Sequence, residues 1–238
     1  MVEIMGCQLN VKVRGEGQGI LLLHGWGQNM YMMKFIQDDL CQRFKVVNVD
    51  LPGFGKSSEP NFSWGIIDYT NAMKELMDLY NIKKPIIIAH SFGARIALQY
   101  ALKFPVKAMI LTGAAGIRKK RDMKYKVRVK IYKILKRFPF AVSMGSPDYQ
   151  NASAIMKGVL VKCVNDDISE QLKDIHVPTM LVWGKKDAET PLWMGKQMHK
   201  EIPNSKFICI ENEGHFAYFT QGIRFLRIVD CFLKGMNE

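Results

Sequence analysis

The sequence predicts an α/β domain: a mostly parallel sheet with flanking helices and a small helical cap. Two observations predict it. Six short apolar runs are continuous rather than alternating, which suits strands covered on both faces. Helical patterns separate most of these runs, and strand-helix alternation argues for a doubly wound sheet. A third observation adds the cap: between residues 113 and 178 the alternation lapses for roughly 60 residues of mostly helical pattern.

The elements follow in order. "EIMGCQLNVKVRGEGQ" reads as an antiparallel hairpin added to one sheet edge. "GILLLHG" (19–25), "KVVNVD" (45–50), "PIIIAH" (85–90), "VKAMILTG" (106–113), "PTMLVWG" (178–184) and "SKFICIE" (205–211) read as strands. Helices are expected at 30–43, 66–82, 91–103, 190–201 and 216–234. The core is expected to comprise 1–116 and 177–238, with 117–176 as the cap insertion. The 238 residues, 48% of them hydrophobic and undivided by a Pro/Gly/Ser-rich linker, suit one such domain.

Composition excludes several classes. No apolar run approaches the roughly 18 residues needed to span a membrane. The N-terminus alternates like a strand and lacks the pattern of a signal peptide. The five cysteines, at 7, 41, 163, 209 and 231, form no C-x-x-C pair, so neither a disulfide scaffold nor a zinc knuckle is expected. A reduced, cytoplasmic location is the simplest expectation. Neither His176 nor His199 has metal-ligand spacing with a partner, and no metal or organic cofactor is expected.

In open α/β sheets ligands bind beyond the carboxyl ends of the strands. Those ends carry His24-Gly25-Trp26-Gly27, Asp50 to Ser57, His90-Ser91-Phe92-Gly93, Gly184 to Asp187, and Asn212-Glu213-Gly214-His215. One Ser, one Asp and one His thus stand in that order along one edge. On its own Ser91 also reads as a turn residue, Asp187 as a helix N-cap before Pro191 with Glu189 as a rival carboxylate, and His215 as a loop histidine. "GFGKS" is not a phosphate loop, because that pattern would need glycine at position 50, which is Asp50; "GEGQG" precedes a strand and reads as a hairpin turn.

"LLLHGWGQN", "VVNVDLPGFGKS", "IIIAHSFGAR", "LVWGKKDAETP" and "NEGHF" together resemble the α/β-hydrolase fold serine hydrolases across essentially the whole chain. The resemblance implies a carboxylesterase-type enzyme. Ser91 would be the nucleophile, His215 the general base and Asp187 its orienting acid. Trp26 and Phe92 would offer backbone N–H groups to an oxyanion hole. Serine at position 91 disfavours the aspartate nucleophile of epoxide hydrolases and dehalogenases. Ala89 replaces the first glycine of G-x-S-x-G. His90 and His24 are expected to be structural.

The net charge of +12 is local: residues 118 to 137 hold eleven Lys/Arg against Asp122 alone. As a helix, 123–138 gathers Met123, Val127, Ile131, Ile134, Leu135 and Phe138 on one side, expected to cover the site and contact an apolar acyl group. Lys126, Lys130, Lys133, Lys136 and Arg137 fall opposite. That basic face suits plain solvation, an anionic substrate, an acidic protein such as an acyl carrier protein, or an anionic membrane surface. Nucleic acid is not expected, since no binding motif accompanies the charge. "HGWGQN" and "DLPGFGKS" also resemble the pimeloyl-acyl-carrier-protein methyl ester esterases of biotin synthesis. The leading expectation is ester cleavage through an acyl-enzyme. Alternatives are that carrier-protein esterase, an acyltransferase or C–C bond hydrolase on the same triad, and a non-enzymatic ligand-binding homologue.

Overall fold

A computed structural model describes residues 1–118, 150 and 152–236. The six apolar runs all become strands: β4 (Gly19–Leu23), β5 (Lys45–Val49), β6 (Ile86–His90), β7 (Ala108–Thr112), β8 (Thr179–Gly184) and β9 (Ser205–Ile210). Three shorter strands precede them: β1 (Val2–Ile4), β2 (Cys7–Leu9) and β3 (Val11–Arg14). The helices are α1 (Lys34–Leu40), α2 (Ile66–Leu79), α3 (Phe92–Lys103), α4 (Ala154–Asn165), α5 (Leu192–Glu201), α6 (Ala217–Thr220) and α7 (Gly222–Lys234).

Seven strands form one sheet in the order β3-β5-β4-β6-β7-β8-β9, parallel throughout except for β3 at the edge. The reason for the continuous apolar runs is visible in β4. Leu21 and Leu23 enter one buried cluster with α2, α3 and α5, while Ile20 and Leu22 enter the other with α1 and α7. Each such side chain, wholly removed from water, contributes about 1.5–3 kcal/mol.

Strand order reverses at β4. The chain leaves β4 outward to β5, then returns past it to β6. The loops after β4 and β6 therefore diverge, and the crevice between them is the topological switch point where ligands bind in such sheets.

Several expectations need correction. The N-terminal hairpin is not one unit: β1 and β2 pair as a separate two-stranded sheet, and only β3 joins the large one, against β5. "GEGQG" is consequently not a hairpin turn. It carries the chain from edge strand β3 past β5 to β4, using positive φ at Gly15 and Gly17. The expected helix 216–234 breaks at Gln221, whose side-chain amide donates to Glu213 Oε1 at 2.6 Å. Residues 30–43 begin as a 3-10 turn, Met30–Met33, before α1. Of the region expected as a cap, α4 and the 3-10 turn Ser169–Asp174 are described; Met156, Val159, Cys163 and Leu172 bury against the main core. The 123–138 helix lies outside the described residues, and with it Met123, Lys126, Val127, Lys130, Ile131, Lys133, Ile134, Leu135, Lys136, Arg137 and Phe138.

Candidate active site

Ser91 links β6 to α3 with φ +48° and ψ −107°, a conformation that costs about 1–3 kcal/mol for a residue with a side chain. The surroundings enforce it. Ser91 N–H donates to Thr112 O at 3.1 Å, and Ser91 O accepts from Ala94 and Ala115 N–H at 3.1 and 3.2 Å. The tight approach falls on Gly93, not on Ala89. A Cβ on Gly93 would lie 2.6 Å from Leu23 O and 2.7 Å from His24 O. Ala89 is an ordinary, fully buried strand residue paired with Leu23 and Leu111. The alanine in place of glycine is therefore accommodated without moving the turn, and Ser91 stays half-buried above it.

Phe92 is the first residue of α3, so its N–H has no intrahelical acceptor. Trp26 follows β4 across the switch point. The Trp26 ring packs edge-on to Phe92 at 5.3 Å and to Phe54 at 4.9 Å, bringing the two loops together. His24 fixes the first loop from below. Its Nδ1–H donates to Gly25 O at 2.7 Å and its Nε2 accepts from Leu51 N–H at 3.0 Å. Burial lowers its pKa to about 4, against the opposing influence of Gly25 O and Asp50, so it stays neutral and shapes the loop as expected.

Asp187 and His215 approach from β8 and β9. His215 Nδ1–H donates to Asp187 Oδ2 at 2.8 Å, with the aspartate side chain wholly buried. The other oxygen, Oδ1, accepts from the N–H groups of Glu189 and Thr190 at 2.9 and 2.8 Å. One carboxylate thus organises its own loop and faces the histidine. Burial pushes the Asp187 carboxyl up, but the hydrogen bond and charge of His215 and the donors of Thr190 outweigh it, leaving the pKa below the ordinary value. Gly184 lets the two loops meet, since a Cβ there would lie 2.1 Å from Gly214 O.

Two neighbours were not foreseen. Thr190 Oγ1 lies 2.8 Å from Asp187 Oδ2 and 3.0 Å from Gly113 O. Gly113, at φ +49°, leaves room for the pair: a Cβ there would sit 3.0 Å from His215 Nδ1 and 3.3 Å from Asp187 Oδ2. The D-x-x-T spacing was the available signal for Thr190; nothing local marked Gly113. Glu189, the rival carboxylate, lies at the other nitrogen: its Oε2 is 3.4 Å from His215 Nε2. His90 is buried, donates from Nδ1 to Thr112 O at 3.0 Å, and sets its ring 4.6 Å from that of His215, tilted by 50°. Among the described residues no group of three or more His, Cys, Asp or Glu could hold a metal ion. No helix among them is long and apolar enough to cross a membrane.

The arrangement brings a strained serine at a helix N-terminus, two candidate N–H donors and a buried His–Asp pair to one sheet edge. A family model described as alpha/beta hydrolase fold matches residues 19–144, and one described as TAP-like protein matches 158–234. A pimeloyl-[acyl-carrier protein] methyl ester esterase of Aliivibrio fischeri strain MJ11 is 26% identical, over 97% of this chain and 99% of that one. Among solved structures, a thermophilic esterase from Thermogutta terrifontis superposes with TM-score 0.79 at 22% identity, covering 100% of this chain and 99% of that one. A meta-cleavage product hydrolase from Pseudomonas fluorescens IP01 superposes with TM-score 0.77 at 21% identity, covering 98% and 96%. At those identities the two structural likenesses concern the fold.

Proposed function

From the premise that the chain belongs to the alpha/beta hydrolase fold family, we propose that it is a serine hydrolase cleaving a carboxylic ester through an acyl-enzyme. The observation that carries this reading is the buried His215–Asp187 pair, 2.8 Å apart, at the same sheet edge as a serine held at φ +48° on a helix N-terminus. Ser91 Oγ attacks the ester carbonyl and passes its proton to His215 Nε2. Asp187 holds the Nδ1–H tautomer and offsets the imidazolium charge. The carbonyl oxygen, now anionic, takes the N–H groups of Trp26 and Phe92 and the positive end of α3. The intermediate collapses, the C–O bond to the alcohol breaks, and Nε2–H protonates the departing oxygen. Water then repeats the sequence on the acyl-enzyme and releases the acid.

A fluorophosphonate probe tests this directly. Wild type is expected to label at Ser91, and Ser91→Ala to lose both labelling and ester turnover while keeping its fold by circular dichroism. Asp187→Ala is expected to cost less than loss of Ser91 or His215. Unchanged turnover in Ser91→Ala would sink the assignment.

The second reading is a carrier-protein ester esterase. It is supported by the Aliivibrio relative's name and by the charge of residues 118 to 137, which suits an acidic partner. Reversing Lys130 and Lys133 to Glu is expected to slow hydrolysis of an acyl-carrier-protein ester while sparing small esters. An equal response from both removes the docking role.

A further inference from the structure

We propose that Glu189 is a specificity-determining residue that selects esters whose alcohol carries a cationic group close to the ester oxygen. This rests on the esterase reading above. His215 presents two nitrogens, and carboxylates contact both: Asp187 Oδ2 at Nδ1, 2.8 Å away, and Glu189 Oε2 at Nε2, 3.4 Å away. The two carboxylates differ in setting. The Asp187 side chain is 0% exposed and locked by Thr190, whereas that of Glu189 is 65% exposed and free to face an incoming molecule. Among the described residues no lysine or arginine pairs with Glu189; its recorded ionic partner is His215.

Nε2 is the atom that must protonate the departing alcohol, so that oxygen comes within hydrogen-bond reach of it, about 3 Å. With Glu189 Oε2 at 3.4 Å from the same nitrogen, the carboxylate lies within about 6 Å of the departing oxygen. An ammonium two carbons from that oxygen spans the gap. The charge also has a mechanistic consequence. Once Nε2 holds the serine proton, Glu189 and the departing oxygen compete for the same N–H. A cation on the alcohol occupies the carboxylate and leaves Nε2–H directed at the oxygen. A neutral alcohol leaves the competition standing, and an anionic one is repelled.

The test compares two isosteric butyrate esters, of choline and of 3,3-dimethylbutanol, in wild type, Glu189→Gln and Glu189→Asp at 0.15 M salt. Phosphonates with the same two leaving groups are compared as Ser91 labels. Wild type is expected to favour the cationic member by about threefold in kcat/KM and in labelling rate, as befits a charge pair with an exposed carboxylate. Glu189→Gln is expected to bring both ratios near unity, with Glu189→Asp retaining part of the preference. The basic segment acts alike on wild type and variant, so the change in ratio isolates Glu189. Equal ratios in wild type and Glu189→Gln overturn the proposal while leaving the esterase reading intact. Glu189-dependent phosphonate labelling without turnover of any carboxylic ester upholds the selecting role of Glu189 and overturns the esterase reading. Absence of labelling at Ser91 overturns both.

Discussion

A buried carboxylate needs donors on both oxygens, and at Asp187 three of them come from two consecutive residues. Glu189 N–H and Thr190 N–H fill Oδ1, and the Thr190 hydroxyl reaches Oδ2, the oxygen that also receives His215. Replacing that hydroxyl by a methyl keeps the shape but removes the single proton that Oδ2, at 2.8 Å, and Gly113 O, at 3.0 Å, compete for. A hydrogen bond to a charged group is worth about 1.5–3 kcal/mol. Thr190→Val is therefore expected to lose about tenfold in kcat with KM little changed, and Thr190→Ser to restore most of it. A purely structural role would instead show in thermal stability with kcat intact. The place of Ser91 at the turn from β6 to α3 was legible because an apolar strand run ends there and a small-residue helix start follows. Its uncertain neighbour, Ala89, proved an ordinary strand position, because the close contact belongs to Gly93 against Leu23 O and His24 O. Gly113 was not legible: its need for a bare Cα comes from Asp187 and His215, more than 70 residues away in sequence.

At the scale of elements, the strands covered on both faces were the most readable. Their apolar runs are dictated by two buried clusters, one on each side, so the residues carry the pattern regardless of register. The short N-terminal strands were misjudged for the opposite reason. Two adjacent alternating runs read as a hairpin, yet β3 pairs with β5, which lies more than 30 residues later, and pairing partners leave no local trace. The break between α6 and α7 was hidden similarly. Residues 216–234 keep a helical apolar rhythm, with Ala217, Phe225 and Val229 buried, but Glu213 draws Thr220 and Gln221 toward itself and ends the first turn of helix there. A side chain outside the helix decided what the rhythm inside it could not.

Across the whole molecule, two histidines are sealed neutral in the sheet edge that holds the site, and this sets the response to acid. Burial lowers the His24 pKa to about 4. Burial, with help from nearby His215, lowers that of His90 to about 3, despite Thr112 O and Asp187 acting the other way. Both titrate near 6.5 when unfolded. Between about pH 6.5 and those lower values the unfolded chain binds more protons than the native one, so stability rises with pH there and is lost as pH falls. Each histidine contributes up to about 1.4 kcal/mol per pH unit in that window. The lowered Asp187 carboxyl acts in the same direction but further down, below the ordinary aspartate value. Urea midpoints are therefore expected to be level from pH 8 to about 7 and to fall steeply from pH 6 to 4.5, ahead of carboxylate protonation. His90→Gln removes one of the two titrations. It is expected to flatten the pH 6 to 4.5 slope by about half, even where it lowers stability at pH 8. A wild-type midpoint that stayed level down to pH 4.5 would show that water or protons reach these rings without unfolding the strand ends that enclose them.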